Sequence, residues 1–206
     1  LVANNYSNVT INDGTVTGDS VGLYADSSST VEITGGSISG TGAYGYGLVA
    51  NNYSNVTIND GTVTGSFNGL YANVYSDVTI NGGNIYGNDT GLYAIGSSTV
   101  TINGGNISSL YGDGLIALTD STFEITGGSI STGDEYATGL YASGFSTVNI
   151  SGGNITAGNR GKGLYADDYS TVNISGGNIN AGYFGRGLQA SVNSTVNISG
   201  GSITAG

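Results

Sequence analysis

The chain has 206 residues, 39 of them Gly, and lacks Pro, Cys, Met, Trp and His. Three Lys plus Arg against fourteen Asp plus Glu give a formal net charge of -11. These figures exclude a disulfide scaffold, thiolate or imidazole metal sites, a histidine general base, a basic face for nucleic acid, a collagen period and a membrane span of about 20 apolar residues. From the N-terminus onward one unit repeats. Leu1 opens a first unit that lacks its leading Gly. Gly-Leu then opens a unit at Gly22, Gly47, Gly69, Gly91, Gly114, Gly139, Gly163 and Gly187, at spacings of 22 to 25 residues. The frame is G-L-Y-A-x-x-x-S-T-V-x-I-x-G-G-x-I, and all length variation falls after its last Ile or Val. Within a unit, Leu and Ala stand two apart (Leu23 and Ala25), then Val and Ile (Val31 and Ile33), then a single apolar residue (Ile38). Period two is the strand signal, so each unit is expected to hold three short strands separated by turns.

Three strands in 22–25 residues describe one coil of a solenoid whose strands pair with their copies about 4.8 Å away. The predicted fold class is all-β: a right-handed parallel β-helix of about nine coils with three short strands per coil, residues 1-206 forming one segment. Coils of variable length favour the right-handed type over the strict hexapeptide left-handed type. Leu1 and Gly206 both fall inside the pattern, so a longer repeat chain or filament is expected. Leu1–Gly18 and Leu48–Gly65 are identical, as interchangeable modules would be.

The recurring polar residues have structural roles in this reading. Ser7, Ser29, Ser54, Ser76, Ser98, Ser121, Ser146, Ser170 and Ser194 face inward at a corner and bond turn backbone or each other. Nine copies and no His argue against a catalytic serine. Gly14, Gly36, Gly61, Gly83, Gly105, Gly128, Gly153, Gly177 and Gly201 mark a turn with left-handed backbone. Asn84, Asn106, Asn154 and Asn178 form an amide ladder. The Ala column marks a narrow part of the interior.

The residues left over for function are few. Tyr24, Tyr71, Tyr93, Tyr141 and Tyr165 form an outward column beside the Leu-Ala strand. Tyr6, Tyr53, Tyr75, Phe145 and Tyr169 form a second at the next turn. Tyr183 and Phe184 lie in a variable loop, as do Tyr44, Tyr46, Phe67, Tyr111 and Tyr136. Tyr24, Tyr71, Tyr93, Tyr141, Tyr165, Tyr169, Tyr183 and Phe184 are the candidate ligand or partner surface, since exposed rings stack on sugars or anchor proteins. The alternative is that stacked rings shield glycine-rich backbone. Asp134-Glu135 and Asp167-Asp168 are too few carboxylates to specify a Ca2+ site. The outward Thr-x-Asn-x-Ser face of the late coils is flat and polar, a surface type that binds ice or glycans in some solenoids, but Glu32 and Glu124 interrupt it. No catalytic residue, metal or cofactor is expected.

The unit G-L-Y-A-x-x-x-S-T-V-N-I-S-G-G-N-I resembles the repeats of bacterial surface proteins with right-handed parallel β-helices, such as autotransporter passenger domains and repeat adhesins of the pectin-lyase-like superfamily. That resemblance covers the whole chain. It implies a structural and adhesive rod, extracellular or on the cell surface, that continues in its own chain or associates end to end. It also leaves open a glycan or host-surface partner. The superfamily's polysaccharide-cleaving members carry carboxylate clusters, an Arg or Lys base and a His-Gly element that have no counterpart here, so no enzyme is expected.

Overall fold

The computed structural model describes residues 1–206 as 27 strands in three nine-stranded parallel sheets, with no helix. Every coil gives one strand to each sheet, and neighbours within a sheet lie three strands apart in sequence. The nine coils and their three strands are those expected from the spacing. Register is kept by residue type. Leu48, Leu70, Leu92, Leu115, Leu140, Leu164 and Leu188 stand opposite one another in turn. Val56, Val78, Val100, Phe123, Val148 and Val172 do the same in the second sheet. A slip of one residue would turn each of these side chains to the other face, so the apolar columns lock the stack.

The core is a single cluster of 37 buried residues running through the coils. The Ser column lies at its corner. Ser29, Ser54, Ser76, Ser98, Ser121, Ser146 and Ser170 are fully buried. Ser29, Ser54, Ser76 and Ser98 donate to the carbonyl three residues earlier, at 2.6, 2.6, 2.7 and 2.9 Å. Ser146, Ser170 and Ser194 also reach back to the Ala of the preceding coil, at 3.2, 3.1 and 3.0 Å. Ser121 alone has a buried Oγ without a partner.

Two glycine columns exist for different reasons. The nine turn glycines from Gly14 to Gly201 all have positive φ, between 79° and 99°. The Gly of Gly-Leu does not. At Gly139 a Cβ would stand 2.7 Å from the Gly163 carbonyl oxygen and 2.7 Å from Ile155 Cγ2. The first sheet therefore meets the third across a gap with no room for a methyl.

A second corner is left-handed in every coil, and it is mostly built without glycine. Asn5-Tyr6, Ser27-Ser28, Asn52-Tyr53, Val74-Tyr75, Thr119-Asp120, Asp168-Tyr169 and Val192-Asn193 all have φ between 45° and 62°. Gly96 and Gly144 take the first of the two places in the remaining coils. Val, being β-branched, is poorly suited to this backbone.

Amide ladders are present, but only partly where expected. Asn178 donates to Asn154 at 2.9 Å. Longer rows run beside the second sheet. Asn103 donates to Asn81, Asn81 to Asn59 and Asn59 to Glu32, at 2.9, 2.8 and 3.1 Å. Asn197 donates to Asn173, Asn173 to Asn149 and Asn149 to Glu124, at 2.8, 2.7 and 2.5 Å. Each glutamate thus ends a row rather than interrupting a face at random.

Candidate functional site

The first tyrosine column is broken into three parts. Val49 stands opposite both Tyr24 and Tyr71, and Ile116 stands opposite both Tyr93 and Tyr141. Tyr71 stacks on Tyr93 (centroids 5.5 Å apart, planes at 29°) and Tyr141 on Tyr165 (5.2 Å, 23°). Tyr24 is left to accept from Asn51 Nδ2 at 3.0 Å. All five rings are half-buried. Burial pushes the phenol pKa values of Tyr71, Tyr93 and Tyr141 up, so these rings stay neutral well into the alkaline range.

The second column lies on the left-handed corner. Tyr53 stacks on Tyr75 and Phe145 on Tyr169, each pair 5.1 Å apart and nearly parallel. These rings are exposed. Left-handed backbone turns each ring outward where its copy in the next coil lies parallel to it. Tyr183 and Phe184 lie in their loop with centroids 4.1 Å apart, away from both columns, and are among the most exposed rings of the chain.

The three basic side chains are all engaged. Arg160 pairs with Glu135 at 3.0 Å and bonds the Tyr136 hydroxyl at 2.9 Å. Lys162 Nζ lies over the Tyr165 ring, 4.2 Å from its centroid. Arg186 donates to Gln189 at 3.0 Å.

The acidic groups are scattered. No three of His, Cys, Asp and Glu converge as metal ligands would. Asp167 accepts from Ser191 Oγ at 2.7 Å, and Ser191 also bonds the Tyr165 hydroxyl at 2.9 Å. The Ser191 bond holds the Asp167 carboxyl below the usual carboxylate range. Asp113 is the opposite case. Burial pushes its carboxyl up, although it accepts the Thr138 N–H at 2.6 Å.

One concave feature combines aromatic and polar walls. A groove of about 300 Å³ is lined by Tyr46, Phe67, Asn68, Tyr71, Asp89, Thr90, Tyr93 and Ile116. Tyr46 meets Phe67 edge-on at 5.8 Å and leans on Tyr71 at 5.6 Å, so these two rings extend the Tyr71–Tyr93 stack. Tyr46, expected in a variable loop, instead opens the strand Tyr46–Ala50, because it pairs with Val21 of the preceding coil. Asn68 is only 3% exposed, and its Oδ1 has no hydrogen-bond partner. Sequence reasoning missed Asn68, because its position before Gly-Leu is occupied by Val, Tyr, Thr, Asp, Lys or Arg elsewhere. The only signal was the nearness of Phe67 and Tyr46 to the column once the coils are aligned.

No curated protein and no solved structure gives a significant match to the chain. A family model described as "Right handed beta helix region" matches residues 68–206. With the three parallel sheets and nine coils, that match places the chain in the right-handed β-helix family.

Proposed function

We propose that this chain is a structural and adhesive rod of a bacterial cell surface or extracellular fibre, and not an enzyme. The observation that carries the reading is the uninterrupted register of the stack. Every coil pairs with the next through its three strands, and the Ser column, Ser121 apart, and the asparagine rows are engaged with backbone or with their own copies. Such a stack supports addition of further coils, from the same chain or from a second copy, without a change of cross-section. Nine coils at about 4.8 Å give a rod roughly 40 Å long. Small-angle scattering and electron microscopy test this. Thin particles of constant width, lengthening with concentration or with added coils, are expected. Globular oligomers that bind no cell surface would overturn the reading. A turnover assay on pectins is expected to show no product.

A second reading is a carbohydrate-binding module, favoured by the parallel, exposed rings of Phe145 and Tyr169 beside the Tyr141–Tyr165 stack. Aromatic faces of this kind stack on the apolar face of a pyranose. Polysaccharide pull-down with Tyr141→Ala, Tyr165→Ala, Phe145→Ala and Tyr169→Ala tests it, and unchanged capture by all four variants would remove the aromatic mechanism.

A further inference from the structure

The groove beside Tyr71 and Tyr93 has an internal counterpart four coils further along the rod. The residue before Gly-Leu forms a column that includes Asn68, Thr90, Thr138 and Lys162, with Asn68 opposite Thr90 and Thr138 opposite Lys162. Each stands three residues before the outward position that Tyr71, Tyr93, Tyr141 and Tyr165 occupy. In the coil of Lys162 this column supplies an ammonium group over the Tyr165 face, 4.2 Å from the ring centroid. In the coils of Asn68 and Thr90 the side chains are too short to do so, and a groove of about 300 Å³ lies over Tyr71 and Tyr93 instead.

The walls of that groove favour a cation that carries N–H donors. Tyr46, Phe67, Tyr71 and Tyr93 present ring faces and edges, and ring faces attract cations. Asp89 adds a carboxylate and Asn68 a buried carbonyl oxygen without a donor. Both are acceptors, so the occupant must donate. The chain's net charge of -11 adds a general bias toward cations over anions. A quaternary ammonium has the charge but no N–H for Asn68. A neutral sugar has donors but leaves the Asp89 charge unmatched.

We propose that this groove binds a primary alkylammonium group, which takes the place over Tyr71 and Tyr93 that the Lys162 amine takes over Tyr165. The inference stands apart from the rod reading and survives its failure.

The test is calorimetric and NMR titration of the whole chain with cadaverine, with pentanediol as the neutral isostere and cellobiose as the sugar. Cadaverine is expected to bind in the millimolar range and to shift the Tyr71 and Tyr93 ring signals, while pentanediol does neither. Asp89→Asn should weaken cadaverine about tenfold, the size of one charge-assisted contact. Asn68→Lys should fill the groove from within, abolish cadaverine binding and melt no lower than the parent chain. If that variant fails to fold, Tyr71→Leu gives the same reading through loss of the ring. A blocked lysine peptide that outbinds cadaverine would assign the ammonium to a protein side chain, and the reverse order to a free amine; either supports the groove. Absence of cadaverine binding, equal binding of pentanediol, or cellobiose binding that Asn68→Lys removes would each overturn the proposal.

Discussion

Gly139→Ala tests whether the Gly-Leu column is set by space rather than by backbone conformation. Gly139 does not have a left-handed φ, so an alanine there carries no conformational penalty. Its Cβ would lie 2.7 Å from the Gly163 carbonyl oxygen and from Ile155 Cγ2, where ordinary contact begins at 3.4 Å. Each partner is therefore about 0.7 Å too close, and neither yields easily: one is backbone of the neighbouring strand, the other a side chain buried in the core. Overpacking of this kind costs about 3 kcal/mol. Restricting the unfolded chain returns about 0.5–1 kcal/mol. The net loss is about 2 kcal/mol, or a fall in melting temperature of about 4–8 °C for a chain of this size. Thermal denaturation followed by circular dichroism reads the fall, and hydrogen exchange should show the loss of protection centred on the strands Thr138–Ala142 and Lys162–Ala166. An unchanged or raised melting temperature would refute the reasoning, because it would mean that the sheets are not in contact at this column.

Three further outcomes are expected. Val74→Gly should stabilise the chain by about 1 kcal/mol, since Val74 sits at φ 49° where Gly96 and Gly144 stand in other coils, and the urea midpoint reads this directly. Ser76→Ala should cost about 1 kcal/mol through the lost bond to the Asn73 carbonyl, whereas Ser121→Ala, at an unpartnered buried hydroxyl, should be neutral or stabilising in the same assay. Asp113 has its folded pKa raised by burial, so its folded form holds a proton more tightly than the unfolded chain does. Stability should rise as pH falls from neutral through that raised value toward the usual Asp range. Asp113→Asn keeps an acceptor for the Thr138 N–H, so it should melt above the parent at neutral pH, with the difference closing in acid. Asp167 has the opposite sign: its contribution is present above the usual carboxylate range and is lost as pH falls through its depressed value.

The first two strands of each coil were legible because each carries an alternating apolar pair, and the third because its single Ile or Val, like the Ser and turn-Gly columns, recurs at a fixed offset. The left-handed corner was not legible, because Val74 and Val192 stand where intrinsic preference predicts otherwise. There the stacked neighbours above and below override the local preference. The Gly of Gly-Leu was seen, but its reason was not: the clash is with Ile side chains of another sheet, about 16 residues on in the chain. Likewise a column of five tyrosines was readable as a frame position, but Val49 and Ile116 hold two places in the same column and divide it. The groove at Asn68 depends on where a loop lays Phe67 against Tyr46, which no periodicity encodes.

The asparagine rows have a direction. Each amide hands its N–H to the coil before it and offers its oxygen to the coil after it. Glu32 and Glu124 have no donor to hand on, so each can only stand first in a row. The coil just before each glutamate also carries an asparagine, Asn12 before Glu32 and Asn103 before Glu124, and there the amide oxygen accepts from a threonine hydroxyl two residues past the glutamate, Thr34 or Thr126. The duplicated segment shows both arrangements. Its asparagine accepts from Thr34 in one copy, as Asn12, and from Asn81 in the other, as Asn59. A duplicated coil therefore keeps its amide oxygen bonded wherever the coil after it offers an asparagine N–H or a threonine hydroxyl at this position.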